Sequence, residues 1–427
     1  MNINENQAFI ITGSAGEPTL SGSVAIEGAK NAVLPIMAAS LIVDGETQLT
    51  NVPNIADVHS MISLLEGIGA YGSYRDGVCS IRTQDAKNTI LDQTLAKRLR
   101  ASVLLIGATL ARLGSVTFPH PGGCVLGSRP IDLFIEGFQT LGCSFTGDEE
   151  SSTLTAPPEG LSGGTIFFRV MSVTATETFM MAAVRAQAPV TLKNCAMEPE
   201  VVATADFLKK CGARIEGAGT PTIIIHPAHV EPPQEPFAVI PDRIEAGSFL
   251  ILGALLGKDV TITNVRPSDL DAVIEALRVM GVPIHATEDT ITVSRPDTLR
   301  ATDIRTHEHP GFPTDLQAPM TTLLTQAEGE SAVVETIFDG RLNYIDDLVT
   351  MGADIRIWNP HKATVKGPTP LKARDIDGPD IRAGLAFLLA GAVASGTSRI
   401  GNAHLIDRGY QQIEQKFQSL GATIERT

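Results

Sequence analysis

The sequence predicts an α/β protein, a two-domain inside-out α/β barrel of six repeats of about 70 residues with central buried helices and outer sheets. Three observations predict it. A glycine closes an amphipathic stretch at positions 69, 142, 212, 281, 352 and 421, so successive glycines stand 69–73 residues apart. The patterns between these glycines follow one order. One stretch in each repeat is apolar almost all round.

That apolar stretch comes first, as in NAVLPIMAASLI, ASVLLIGATLARLG and IRAGLAFLLAGAVASG. A helix without a polar face is buried on every side. A short strand follows, as in VTLKN or VTITNV. Next is an amphipathic, half-exposed helix such as IADVHSMISLLEGIG, closed by glycine because a helix C-cap needs a left-handed residue. A hairpin such as VPIHATEDTITVS ends the repeat. Wholly apolar helices must bundle centrally and leave the sheets outside, which inverts the usual doubly wound layering. The sixth repeat stops at ATIERT, and the N-terminal AFIITG is expected to supply its return strand. The proline-rich HPAHVEPPQEPF, 226–237, is the expected break between halves. One domain is then 30–238. The second consists of 1–29 and 239–427, and a cleft between the two is a natural ligand site.

Composition narrows the function. Hydrophobic residues at 43% and charged residues at 19% are globular proportions and exclude a disordered chain. The formal net charge of −15 argues against bulk nucleic-acid or anionic-membrane binding, while leaving room for a small anion in a local cationic cluster. No apolar run reaches a membrane span, and MNINENQAF does not read as a signal peptide. The five cysteines form no CxxC pair, which points to a reducing cytoplasm rather than a disulfide framework or a zinc knuckle.

Polar residues gather where the buried helices begin: Lys30-Asn31, Arg98 with Arg100 and Ser102, Ser172 with Thr174, Asp242-Arg243, Pro313-Thr314-Asp315, and Asp380 with Arg382. Helix N-termini present unpaired N–H groups, and added cations make them anion sites. Capping and ion pairing are the simpler reading of each residue alone. In FPHPGGCVLGSRPIDL, 118–133, Cys124 stands among glycines and prolines with Arg129 five residues on, a setting that suits an accessible acid or nucleophile. Cys79, Cys143, Cys195 and Cys211 fall in strand or helix patterns and read as structural. A dyad of His120 and Cys124 has no Asn or Asp to orient it. Asp315 opens a buried helix, either as an N-cap or as a base tuned by burial. Arg341, Arg382 and Arg408 are further cationic candidates, with surface ion pairing as the default.

The segments GAKNAVLP (28–35), LRAS (99–102), PGGCVLGSRPIDL (121–133), PDRIEAGSF (241–249), FPTDLQA (312–318), PDIRAG (379–384) and LIDRGY (405–410) together resemble the UDP-N-acetylglucosamine 1-carboxyvinyltransferase family. This is the enolpyruvyl transferase that opens peptidoglycan synthesis, and its fold has two domains of three repeats. The resemblance implies transfer of enolpyruvyl from phosphoenolpyruvate to the sugar 3′-hydroxyl with release of phosphate. It implies no cofactor, no metal, and no nucleic-acid or membrane partner. Cys124 is then the proton donor, alkylated by fosfomycin, and Asp315 the base. Lys30, Arg129 and Arg408 contact the phosphate side and are expected to converge on one anion. Arg341 and Arg408 lie near the carboxylate, with Arg382 close by and Asn31 at the reacting centre. Arg100, Arg129, Pro130, Ile131, Asp132, Leu133, Ser172, Val173, Asp315 and Ile337 belong to the nucleotide-sugar site.

Three departures touch that last site. SVTAT places Thr174 where the family commonly has Gly. Val170 stands where some members carry a phosphate-binding Lys, with Arg169 as a substitute. Phe134 follows PIDL where some members carry His. Three competing readings fit less well. A 5-enolpyruvylshikimate-3-phosphate synthase shares fold and chemistry but lacks the PGGC loop. A non-catalytic nucleotide-sugar-binding paralogue has no need of Lys30, Cys124, Asp315 and Arg408 together. A cysteine hydrolase would turn over without phosphoenolpyruvate.

Overall fold

In a computed structural model the described residues are 7–119, 131–148 and 150–427. They divide into two compact units. One comprises the chain up to Glu27 together with Pro241–Thr427, and the other lies between Gly28 and Ile240. Each unit has its own apolar core. The chain leaves the second unit only after Ile240, beyond the proline-rich 226–237. Phe237–Ala238 still pairs in parallel with Leu49 and Thr50, and Ala29 N donates to Ile240 O. In the other unit Asp242 N donates to Glu27 O.

The apolar stretches are the central helices. In one unit Lys30–Ser40, Leu104–Leu113 and Val173–Val184 pack on one another; in the other, Arg243–Leu256, Gln317–Leu324 and Ile381–Val393 do so. Close approach explains the small residues. A Cβ at Gly107 would collide with Thr178 O on the neighbouring helix.

Among the described residues the strands form six sheets of one plan. The strand after a buried helix lies between a parallel edge strand and the returning arm of the hairpin. Val190–Lys193, for example, pairs in parallel with Gly164–Phe167 and antiparallel with Thr222–His226. In the second repeat the parallel edge is reduced to the bridge between Ile90 and Thr117. In the sixth, Phe9–Thr12 takes the return position between Thr397–Gly401 and Thr423–Arg426, antiparallel to both. Two edge strands are exchanged. Leu20–Ala25 precedes the helix Lys30–Ser40 but pairs with Gly257–Thr263, and Phe237–Ala238 precedes Arg243–Leu256 but pairs with Glu46–Thr50.

All six repeat glycines have positive φ, from +91° at Gly142 to +107° at Gly352. Each closes its helix in the same way. The glycine N–H reaches the carbonyl three residues back, and the next N–H reaches five back, as in Gly212 to Lys209 and Ala213 to Leu208. This is the Schellman closure, and it requires the left-handed conformation. Gly212→Ala introduces no steric overlap, since the nearest atom to the added Cβ would be His229 O at 3.5 Å. Its expected cost is therefore that of φ alone, about 1–2 kcal/mol. Urea unfolding should read that loss, with activity per folded molecule unchanged.

Candidate active site

Most of the predicted polar residues stand at helix starts, although Arg98 closes the short helix Gln93–Arg98. Asp242 accepts from Ile244 N and Glu245 N, Asp380 from Arg382 N and Ala383 N, and Ser172 from Ala175 N, so these three are N-caps. Ser102 donates to Ala96 O and is taken up structurally.

Asp315 is not a cap. It lies in the 3-10 turn Thr314–Leu316, which leads into the helix Gln317–Leu324. Its Oδ1 accepts from Arg341 Nη2 and its Oδ2 from Arg382 Nη2, both at 2.7 Å. The guanidiniums are 4% and 8% exposed, against 23% for the carboxylate. Burial alone would raise its pKa, but Arg382 and Arg341 outweigh it and hold the carboxyl well below the usual range. This differs from a base tuned upward by burial. A depressed folded-state pKa adds stability above the unfolded pKa of about 4, and that stability is lost only as pH falls well below it. No acid limb in kcat/KM between about pH 4 and 6 should therefore trace to Asp315 in the free protein. A limb in that window that vanishes in Asp315→Asn would contradict this.

Residues that sequence reasoning passed over complete the cluster. Arg382 Nη1 donates to the hydroxyl of the fully buried Tyr410, which also bonds Ser248 at 3.2 Å. Glu335 Oε1 accepts from Ile337 N and Phe338 N, and its Oε2 from the Thr314 hydroxyl, tying the turn before Arg341 to the one bearing Asp315. Tyr344 receives a bond from Gln317. Arg408 lies between fixed neighbours: Tyr410 on one side, and on the other Asp407, clamped by Arg426 at 2.6 and 2.8 Å. The lone buried Glu in the apolar GESAVVETIF is the available signal for Glu335.

In the other unit Lys30 Nζ pairs with the buried Asp57 at 2.7 Å. Asn31 follows in the same helix, and Arg100 opens the turn Arg100–Val103. Asp132 and Leu133 begin the helix Asp132–Thr140, and Ile131 directly precedes it. Arg169 is exposed and pairs with Glu136 at 3.2 Å and more distantly with Asp132; Val170 is exposed as well. Phe134 is a core residue stacked with Phe179, 6.3 Å between centroids. Of the stretch 118–133, Phe118 and Pro119 belong to the strand Ser115–Pro119. His120, Cys124, Arg129 and Pro130 lie outside the described residues. The structure thus joins Asp315, Arg341 and Arg382 directly. Lys30 and Arg408 belong to different units.

The family match shows that two units of apolar helices and equivalent outer sheets, with charged residues at the helix starts, are here those of a two-domain carboxyvinyl transferase. The fold is shared with the enolpyruvyl transferase NikO from Streptomyces tendae, at a TM-score of 0.87 and 24% identity over 99% of each chain. The EPSP synthase (3-phosphoshikimate 1-carboxyvinyltransferase) family matches residues 15–417. The UDP-N-acetylglucosamine 1-carboxyvinyltransferase of Nitratiruptor sp. is 39% identical over 96% of this chain and 98% of its own. That of Nostoc sp. is 42% identical over 96% and 92%. The chain belongs to the UDP-N-acetylglucosamine 1-carboxyvinyltransferase family.

Proposed function

We infer that this enzyme transfers the enolpyruvyl group of phosphoenolpyruvate to the 3′-hydroxyl of UDP-N-acetylglucosamine, releasing phosphate at the first committed step of peptidoglycan synthesis. The near-full-length likeness to enzymes of that name carries the reading. Shikimate 3-phosphate as acceptor is disfavoured for the same reason.

A proton adds to C3 of phosphoenolpyruvate while the hydroxyl attacks C2 and gives up its own proton. The tetrahedral adduct then loses phosphate and a C3 proton, and the double bond returns. Such chemistry needs an acid, a base and dense positive charge. Cys124 is the acid and Asp315 the base. Lys30, Arg129 and Arg408 take the phosphate side. Arg341 and Arg408, with Arg382, take the carboxylate, and Asn31 stands at the reacting centre. Arg100, Arg129–Leu133, Ser172, Val173, Asp315 and Ile337 hold the nucleotide sugar.

The pairing of Asp315 supports this division of labour. Two guanidiniums that bind a side-chain carboxylate can bind a substrate carboxylate equally well. When phosphoenolpyruvate engages Arg341 or Arg382, one Asp315 oxygen is released and its proton affinity rises. The base is then strongest when substrate is present.

Among the described residues no helix is long and apolar enough to cross a membrane. The free thiols Cys79, Cys143, Cys195 and Cys211 accord with a cytoplasmic reaction. The deciding assay is phosphate release from phosphoenolpyruvate with and without UDP-N-acetylglucosamine. Release that ignores this acceptor, or that requires shikimate 3-phosphate, overturns the assignment.

A further inference from the structure

Four asparagines share an unusual conformation and one hydrogen bond. Asn51, Asn194, Asn264 and Asn402 each stand at the end of the strand that follows a buried helix, with φ between +53° and +60°. Each donates its side-chain Nδ2–H to a carbonyl one residue past the parallel edge strand of its sheet. The acceptors are Val239, Phe168, Ile26 and Gly378, at 2.5–3.0 Å. In the fifth repeat Thr336 does the same work, its hydroxyl donating to Thr306 O at 2.6 Å just past Ile304–Arg305. The corresponding place in the second repeat falls outside the described residues.

The five carbonyls have one thing in common. Each begins the short segment that climbs from the edge strand to the start of a buried helix, where the charged residues stand. Phe168 leads to Ser172, Thr306 to Asp315, and Gly378 to Asp380 and Arg382. Asn402 also begins the turn through Ala403–Ile406 to Arg408, so one amide joins the two segments that carry Arg382 and Arg408.

We propose that these side chains are latches that position the substrate-binding segments, and that Asn402 positions Arg382 and Arg408 toward phosphoenolpyruvate while Asn194 positions Ser172 and Val173 toward the nucleotide sugar. Asparagine suits the place because it tolerates the left-handed conformation and keeps a donor on a short side chain. The inference rests on the roles proposed above for the residues the latches hold.

Asn402→Gly keeps the backbone conformation and removes the donor, and Asn194→Gly does so in the other unit. Loss of one hydrogen bond from a positioning contact should cost about three- to tenfold in the affected step. Asn402→Gly should raise KM for phosphoenolpyruvate by that factor with KM for UDP-N-acetylglucosamine within about twofold, and Asn194→Gly should do the reverse. Asn402→Asp, of the same shape but without a donor, should match Asn402→Gly and serves if the glycine variant is poorly folded. Equal effects on both substrates, or a lowered melting temperature with both KM values unchanged, means the latches are merely structural and overturns the proposal. Arg382→Gln, Arg408→Gln and Ser172→Ala are measured alongside. If they shift the assigned KM values and the asparagine variants do not, the latch idea alone fails. If they shift neither, the assignment of those residues fails and the latch idea falls with it.

Discussion

Asp315→Asn should lower turnover by about 10²–10⁴-fold, the usual worth of a positioned base, while UDP-N-acetylglucosamine still binds, because the amide keeps the size and hydrogen-bonding capacity of the carboxylate. The substitution also acts on the arginines. Asp315 bridges two nearly buried guanidiniums through bonds of 2.7 Å, and an asparagine can accept from one while its amide N–H₂ faces the other. One guanidinium is thereby left to an incoming anion. Phosphoenolpyruvate should bind the variant at least as tightly as it binds the natural protein, so kcat and KM should fall together. That split distinguishes a lost base from a collapsed site, which would raise KM. Steady-state rates together with calorimetric titration of the nucleotide sugar test it, and turnover within about threefold of the natural protein would remove Asp315 from the role.

The six glycines are legible because a left-handed helix closure leaves few other choices, and equal spacing repeats the signal six times. The central position of the apolar helices follows from their lack of a polar face. The latches are in plain view in VTLKN and VTITNV, but an asparagine after a strand is an ordinary loop residue until the carbonyl it binds is known, and that carbonyl lies 24–238 residues away. The exchange of the two edge strands is illegible for a similar reason. Phe237–Ala238 is two residues long and follows a proline-rich stretch, so its pairing with Leu49 and Thr50 leaves no periodic pattern. The prolines therefore mark the visible break in the sequence, while the chain changes units only at Ile240.

The site is legible as residue types and incompletely legible as partnerships. That Asp315 opens a buried helix can be read directly, and the capping role that usually goes with that position is the natural inference. Its actual partners stand 26 and 67 residues further along, Arg341 in the same repeat and Arg382 in the next. Tyr410 and Glu335 escape notice because they touch donors rather than substrate-like groups. Their work is to hold Arg382 and the turn before Arg341 in place.

Alkylation by a small electrophile should distinguish one cysteine from the other four by about two to three orders of magnitude in rate. Cys79 and Cys195 are fully buried, and Cys143 and Cys211 are nearly so. Only Cys79 lies within a strand; the other three flank regular elements, yet burial governs all four. It pushes the thiols of Cys79, Cys143 and Cys211 up to about 12 and that of Cys195 to about 11. At pH 8 a thiol at about 12 is ionised to about one part in 10⁴, whereas an ordinary thiol near 8.5 is about one quarter thiolate. Cys124 has Arg129 five residues on and glycines on both sides in sequence. An epoxide bearing a phosphonate, such as fosfomycin, adds a second preference, since the cations proposed to hold phosphoenolpyruvate would hold it too. Peptide mass spectrometry of the native protein treated at pH 8 should find the adduct on Cys124 alone, formed faster with UDP-N-acetylglucosamine present. Cys124→Ser should abolish it, and in urea the other four should label freely. A native adduct on any of those four, or none on Cys124, would take the thiol out of the proposed chemistry and leave the proton donor to be sought elsewhere.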